Sequence, residues 1–189
     1  MNYKLIMTEG TTELHFLNIL LERGLLCFRK EELLFERIYA SRQIDGLLEQ
    51  KIQSLNVDSD VTIIRVGDKL TDELKKPKNI KNKIENVIDV KTTPEFEILF
   101  LIHENLYNDY EKKKSKLKEK PSQYYRRKHS DYRKDKEYIE RYFSEMSDCE
   151  IIAFIDAYAR YKPISTQKTI KSLIRQELLV DRGIKVEAL

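Results

Sequence analysis

Apolar and polar positions follow two rhythms along this chain, and the first change between them falls at Thr8–Glu13. Tyr3–Thr8 is an apolar run of strand length that stops at Glu9-Gly10, after which Leu14, Phe16, Leu17, Leu20 and Leu21 recur at helical intervals. Thr11 or Thr12 is placed to cap that helix and Gly24 to end it. Residues 25–40 carry no decisive period, and Leu33–Tyr39 suits strand or helix equally. Ile44–Leu55 predicts a helix with Leu47, Leu48, Ile52 and Leu55 on one side, and Val61–Val66 predicts a β-branched strand closing on Gly67. The pattern then predicts a lysine-rich helix over Ile80–Ile88 and a central strand over Glu97–Ile102. A second such strand is expected over Glu150–Ile155 and a last amphipathic helix over Thr169–Leu179.

Strands alternating with helices predict an α/β fold, a mostly parallel sheet flanked by helices, in one domain spanning residues 1–189. The segment 106–148 is too long for a plain connection. It predicts an inserted pair of helices, because Tyr138, Ile139, Tyr142 and Phe143 recur at helical spacing near its end.

Composition narrows the class. With 189 residues, 41% hydrophobic and 35% charged, the chain can bury one substantial core beneath a highly charged surface. No apolar run approaches the length of a membrane span, and the turn at Glu9-Gly10 arrives too early for a secretory signal. The expectation is a cytoplasmic protein without a membrane partner. Cys27 and Cys149 lie far apart beside hydrophobic neighbours and are expected to be reduced and buried. His15, His103 and His129 are scattered, which speaks against zinc.

The net charge of +3 is unevenly spread. Between Lys112 and Lys136 twelve basic residues are opposed only by Glu119, Asp131 and Asp135, so the rest of the chain is net acidic. Lys112, Lys113, Lys116, Arg126, Arg127, Lys128 and Arg133 are candidates for neutralising phosphates. Tyr124 and Tyr125, with Tyr132, are interleaved where rings could stack on unpaired bases. The competing reading is a solvated helical face that its tyrosines staple to the body. RNA such as transfer RNA is as compatible as DNA, and no sequence-reading motif is visible.

Glu9 and Glu13 belong at the carboxyl end of the first strand, where ligands of open α/β sheets bind. Their spacing lets two carboxylates converge if Glu13 lies in the first helical turn. Paired acids repel unless a cation compensates, so convergence would suit a hard ion such as Mg²⁺. A glutamate in a first turn is also favoured by the helix dipole alone.

The stretch Glu9-Gly10-Thr11-Thr12-Glu13, continued by Phe16 and Leu17 and followed by Ile63-Ile64-Arg65-Val66-Gly67, resembles the opening motifs of TOPRIM domains. It is most similar to OLD-type nucleases and small phage-defence proteins with a Glu-Gly-x-Thr-Glu signature. The resemblance implies a TOPRIM-like (Rossmann-like) fold and Mg²⁺- or Mn²⁺-dependent cleavage of RNA or DNA in bacterial anti-phage defence. It also implies a separate ATPase as partner, since this chain has no P-loop. Where the family carries Asp-x-Asp, this chain has His103-Glu104-Asn105. Asn105 offers only a neutral oxygen, and imidazole suits softer metals. The site expected from the resemblance is Glu9, Glu13, Glu104, Asn105 and Asp156 around the metal. Lys162 would stabilise charge on the leaving oxygen. The alternative is a catalytically inactive TOPRIM-like module that binds nucleic acid or a partner. A third reading is a regulatory subunit whose acid corner salt-bridges to lysines such as Lys69. A homodimer is compatible with each.

Overall fold

In the computed structural model, residues 2–92, 95–161 and 168–185 are described. Four parallel strands form the sheet: β1 (Asn2–Thr8), β2 (Tyr39–Ala40), β3 (Asp60–Gly67) and β4 (Ile84–Lys91), in the order β2-β1-β3-β4. β1 and β3 pair along their length, from Asn2 opposite Asp60 to Thr8 opposite Val66. Both faces of these strands are buried, which is why they are apolar without alternation. Ile6, Ile64, Val66 and Val90 enter one core, while Leu5, Met7, Val61 and Ile63 enter the other.

The larger core is closed by helices. α1 (Thr11–Glu22) turns its Phe16, Leu17 and Leu20 inward, and Gly24 takes φ +65 just beyond its end. α2 (Gly46–Gln53) covers the other face through Leu48 and Ile52, with Asp45 accepting a hydrogen bond from the Leu48 amide at 2.8 Å as its cap. The chain then adds α3 (Ile98–His103), α4 (Tyr107–Leu117), α5 (Pro121–Lys128), α6 (Lys136–Ser144), α7 (Asp148–Tyr161) and α8 (Gln176–Val180). The described residues thus form an α/β fold with a parallel sheet flanked by helices.

Several expectations are corrected. Ile80–Ile88 is not a helix: a 3-10 turn at Lys81–Lys83 leads into β4, the edge of the sheet. Glu97–Ile102 and Glu150–Ile155 are not strands but lie at α3 and within α7. A short, wholly apolar run is as compatible with a buried helix as with a buried strand, and these helices are buried. Thr169–Leu179 divides into a 3-10 turn, Ile170–Leu173, and α8. The cap position of α1 is Gly10, and neither Thr11 nor Thr12 caps it with a side chain. Cys27 and Cys149 are free but exposed; Cys27 points outward between buried Leu26 and Phe28. Among the described residues no helix is long and apolar enough to cross a membrane.

Candidate functional site

The strand order places β2 and β3 on opposite sides of β1, so the chain reverses its winding between β1 and β3. In open parallel sheets the crevice beyond the strand ends at such a point is where ligands bind. Here the crevice is acidic. Glu9 leaves β1 and Asp68 leaves β3, locked together by the Glu9 amide donating to the Val66 carbonyl at 2.8 Å. Glu13 stands in the first turn of α1, and Glu95 and Glu97 precede α3. These five carboxylates line one pocket of about 180 Å³, together with Arg42 and Lys134.

Two glycines make room for the acids. Gly10 has extended backbone at φ −118, so a turn conformation is not what requires it. A Cβ there would stand 2.3 Å from Glu13 Oε2. At Gly67 a Cβ would meet the Glu9 Cβ at 2.5 Å and Oε2 at 2.6 Å. The Glu-Gly pair and the strand-closing glycine therefore serve the carboxylates directly.

Each acid is held differently. Glu9, with a side chain only 5% exposed, accepts a hydrogen bond from the Lys69 amide on Oε2 at 2.8 Å. An Arg42 guanidinium nitrogen stands 2.8 Å from Oε1, yet Oε1 accepts no hydrogen bond, so this contact is Coulombic. Glu97 is buried and ion-paired to Lys134 at 2.6 Å, and the Tyr132 hydroxyl donates to the same oxygen at 2.6 Å. Glu13 accepts from the Thr92 hydroxyl at 3.2 Å. Burial first, then the charges of Glu97 and Asp68, push the Glu13 carboxyl up to about 7, against the pull of its backbone and Thr92 hydrogen bonds. Asp68 is also raised, by burial and then by Glu9.

Glu9 and Glu13 are thus brought together, but the other expected ligands lie elsewhere. Glu104 accepts the Tyr125 hydroxyl at 2.6 Å and pairs with His129 Nε2 at 2.6 Å. Asn105 ends α3 in the left-handed conformation, φ +58. Asp156 is buried on α7 and paired with Lys171 at 2.9 Å. None of these three lines the acid pocket. The cause is the helical state of their segments, which removes them from strand ends. Lys162 lies outside the described residues. Sequence reasoning missed Asp68, Glu95, Glu97, Arg42 and Lys134. A usable signal existed for Asp68, which directly follows the strand-closing Gly67 as Glu9 directly follows the end of β1 at Thr8.

The donor set, all carboxylate oxygen, is the chemistry a hard cation requires. Its arrangement does not fit one: among the described residues no three Asp, Glu, His or Cys side chains come together as a metal cage. Arg42 and Lys134 already supply positive charge to Glu9 and Glu97.

In the basic segment, Tyr124, Tyr125 and Tyr132 are fully buried, which corrects the expectation that Tyr124 and Tyr125 stack on bases. Tyr124 donates to Asp109, Tyr125 to Glu104 and Tyr132 to Glu97, and Tyr125 stacks on Phe100 at 5.1 Å. The rings fasten α4 and α5 to the body. Above them Lys112, Lys113, Lys116, Arg126, Arg127, Lys128 and Arg133 are all exposed. Lys113 and Lys128 pair with Asp109 and Arg127 with Glu119, whereas Lys112, Lys116 and Arg126 have no ion pair among the described residues. The same segment reaches the acid pocket, where the Thr11 hydroxyl donates to the Lys134 carbonyl at 2.9 Å.

No family model, no curated protein and no solved structure matches this chain.

Proposed function

We propose that this protein is a TOPRIM-like nucleic-acid-binding module whose acid pocket is closed by its own cations. The observation that carries the reading is the exposed basic surface of α4 and α5, fixed from beneath by buried tyrosines and joined to the pocket through Lys134. A rigid cationic surface binds phosphates without first losing the entropy of ordering itself. Recognition is by backbone charge, because the aromatic rings are engaged inside. The test is fluorescence anisotropy with transfer RNA, single strands and duplexes across a salt series. Binding is expected to weaken steeply with salt and to persist in chelator; salt-insensitive binding would remove the reading.

A second reading has its own support. Glu13, held near neutrality among four other carboxylates, is a group that a divalent cation would ionise. In that reading the chain is a Mg²⁺- or Mn²⁺-dependent nuclease, with anti-phage defence and a separate ATPase following from the TOPRIM resemblance. That reading requires Glu9, Glu13 and Asp68, which form no cage as they stand, to close together once Arg42 leaves Glu9. Cleavage that requires Mn²⁺ or Mg²⁺ and is lost in Glu9→Ala would establish this second reading over the first.

A further inference from the structure

The opposite face of the sheet carries a second polar site. Arg65, on β3, is 5% exposed and projects beneath the loop that follows Gly67. Its neighbour across the sheet is Asp89 of β4, in register with it. The two are not hydrogen-bonded: Nη1 stands 3.6 Å from Asp89 Oδ1, and both Arg65 Nε and Asp89 Oδ1 are buried without a hydrogen-bond partner. Buried polar groups are normally hydrogen-bonded, so a loose ion pair that leaves a guanidinium nitrogen and a carboxylate oxygen unsatisfied calls for a ligand.

The surroundings say which kind. Arg65 and Asp89 line a cleft of about 280 Å³ walled by the apolar side chains of Leu70, Leu74 and Val87. Across the same loop this cleft opens on a broad, shallow surface edged by Lys75, Lys76, Lys78 and Lys81, none of which has an ion pair among the described residues. Counting both regions, five cations face Asp72, Glu73 and Asp89. An apolar slot with one donor group and one acceptor group at its floor suits a flat heterocycle. A lysine rim at its mouth suits phosphates. Guanine joins O6 and N7 acceptors, which a guanidinium favours, to N–H donors that a carboxylate accepts.

We propose that Arg65, Asp89 and the 68–81 loop form a binding site for a guanine nucleotide, with the base edge on Arg65 and Asp89 and the phosphates on the lysine rim. The chemistry is the same for a free nucleotide and for a guanosine within a strand.

Isothermal titration of the full chain in chelator, with GTP, GMP, ATP, CTP and UTP, separates the outcomes. GTP is expected to bind at least about tenfold more tightly than ATP, CTP or UTP, the discrimination of one good base contact. GMP is expected to bind more weakly than GTP. Asp89→Asn should abolish the base preference, and Lys76→Glu should weaken GTP more than GMP. Arg65→Met should remove binding; if that chain does not fold, Asp89→Asn and Lys76→Glu carry the test. Lys30→Glu, at an exposed lysine that lines neither region, should leave the GTP preference unchanged. If GTP does not bind but guanine in a single strand tightens its binding, and Asp89→Asn erases that difference, the occupant is a strand guanosine. Equal affinity for all four triphosphates, or preference unaltered by Asp89→Asn, overturns the proposal, as does the absence of binding by GTP and guanine-bearing strands alike.

Discussion

Glu9 lies across Gly67 so closely that a single carbon added to Gly67 would stand 2.5 Å from the Glu9 Cβ. That atom is fixed to the backbone and cannot swing aside as a carboxylate can. Gly67→Ala must therefore shift either the β3 end or the start of the turn after β1. The expected cost is about 1–3 kcal/mol, the range for overpacking a filled interior. The same change at Gly10 meets only the far end of the Glu13 side chain, and its cost should be smaller. Urea unfolding of the two variants checks the order; equal losses would show that the contact at Gly67 is absorbed without strain.

Glu13 makes stability depend on pH in a defined window. Its folded carboxyl titrates near 7 while the ordinary value is 4.5. Between these values the folded chain keeps a proton that the unfolded chain has released, so stability is full below pH 4.5 and declines as pH rises to 7. A shift of this size corresponds to about 3 kcal/mol, with burial as its main source. Glu13→Gln cannot ionise. It should match the parent chain at pH 4.5 and exceed it at pH 8 by up to about 3 kcal/mol. A gap between the two chains that does not change with pH would refute the assignment of the proton to Glu13.

The first half of the fold was legible because its signals agree at every level. In β1, α1 and β3 the hydrophobic period, the glycine stops and the element lengths all point to one structure. The second half misleads for a physical reason. Ile80, Ile84, Val87 and Ile88 have helical spacing, yet Ile84 and Val87 pack with the smaller core and Ile88 and Val90 with the larger, as a strand buried on both faces requires. Ile98–Ile102 and Ile151–Ile155 are runs without a polar face, and period cannot separate a buried helix from a buried strand there. The error carries into the site. Reading those runs as strands puts Asn105 and Asp156 at a sheet edge they do not occupy. Glu97, at the opposite end of the same run, is the carboxylate that enters the pocket.

Tyr132 distinguishes a staple from a stacking platform. Its hydroxyl shares the Glu97 oxygen with Lys134, and its ring is fully buried. Tyr132→Phe leaves a buried carboxylate with one donor fewer, which should cost about 1–3 kcal/mol. Nucleic-acid affinity measured well below the unfolding temperature should be unchanged, whereas loss of a base stack would weaken binding. Anisotropy and thermal unfolding on the same samples separate the two.

Charge reversal on the outer surface should do the converse. Lys112 and Lys116 stand one helical turn apart on α4, and Arg126 stands on α5, each exposed and without an ion pair among the described residues. Each substitution to Glu should leave stability within about 0.5 kcal/mol, as is usual for exposed positions. Each should also lower the salt dependence of binding by about one phosphate contact, uniformly across sequences. Stability changes larger than this, or an unaltered salt slope, would move the phosphate contact elsewhere.

Asp156 offers the sharpest separation of structural from metal chemistry. It is buried on α7, 2.9 Å from the Lys171 ammonium, which is itself buried. Two charges are withdrawn from water together there, and Lys171 has no other ion pair among the described residues, so removing Asp156 strands the ammonium. Asp156→Ala should cost about 3–5 kcal/mol. Replacing both, Asp156→Leu with Lys171→Met, removes the two desolvation penalties together and should recover most of that loss. If Asp156 held a metal instead, the double replacement would abolish a Mn²⁺-induced rise in unfolding temperature. With Asp156 structural, any such rise survives in the double variant and disappears in Glu9→Ala.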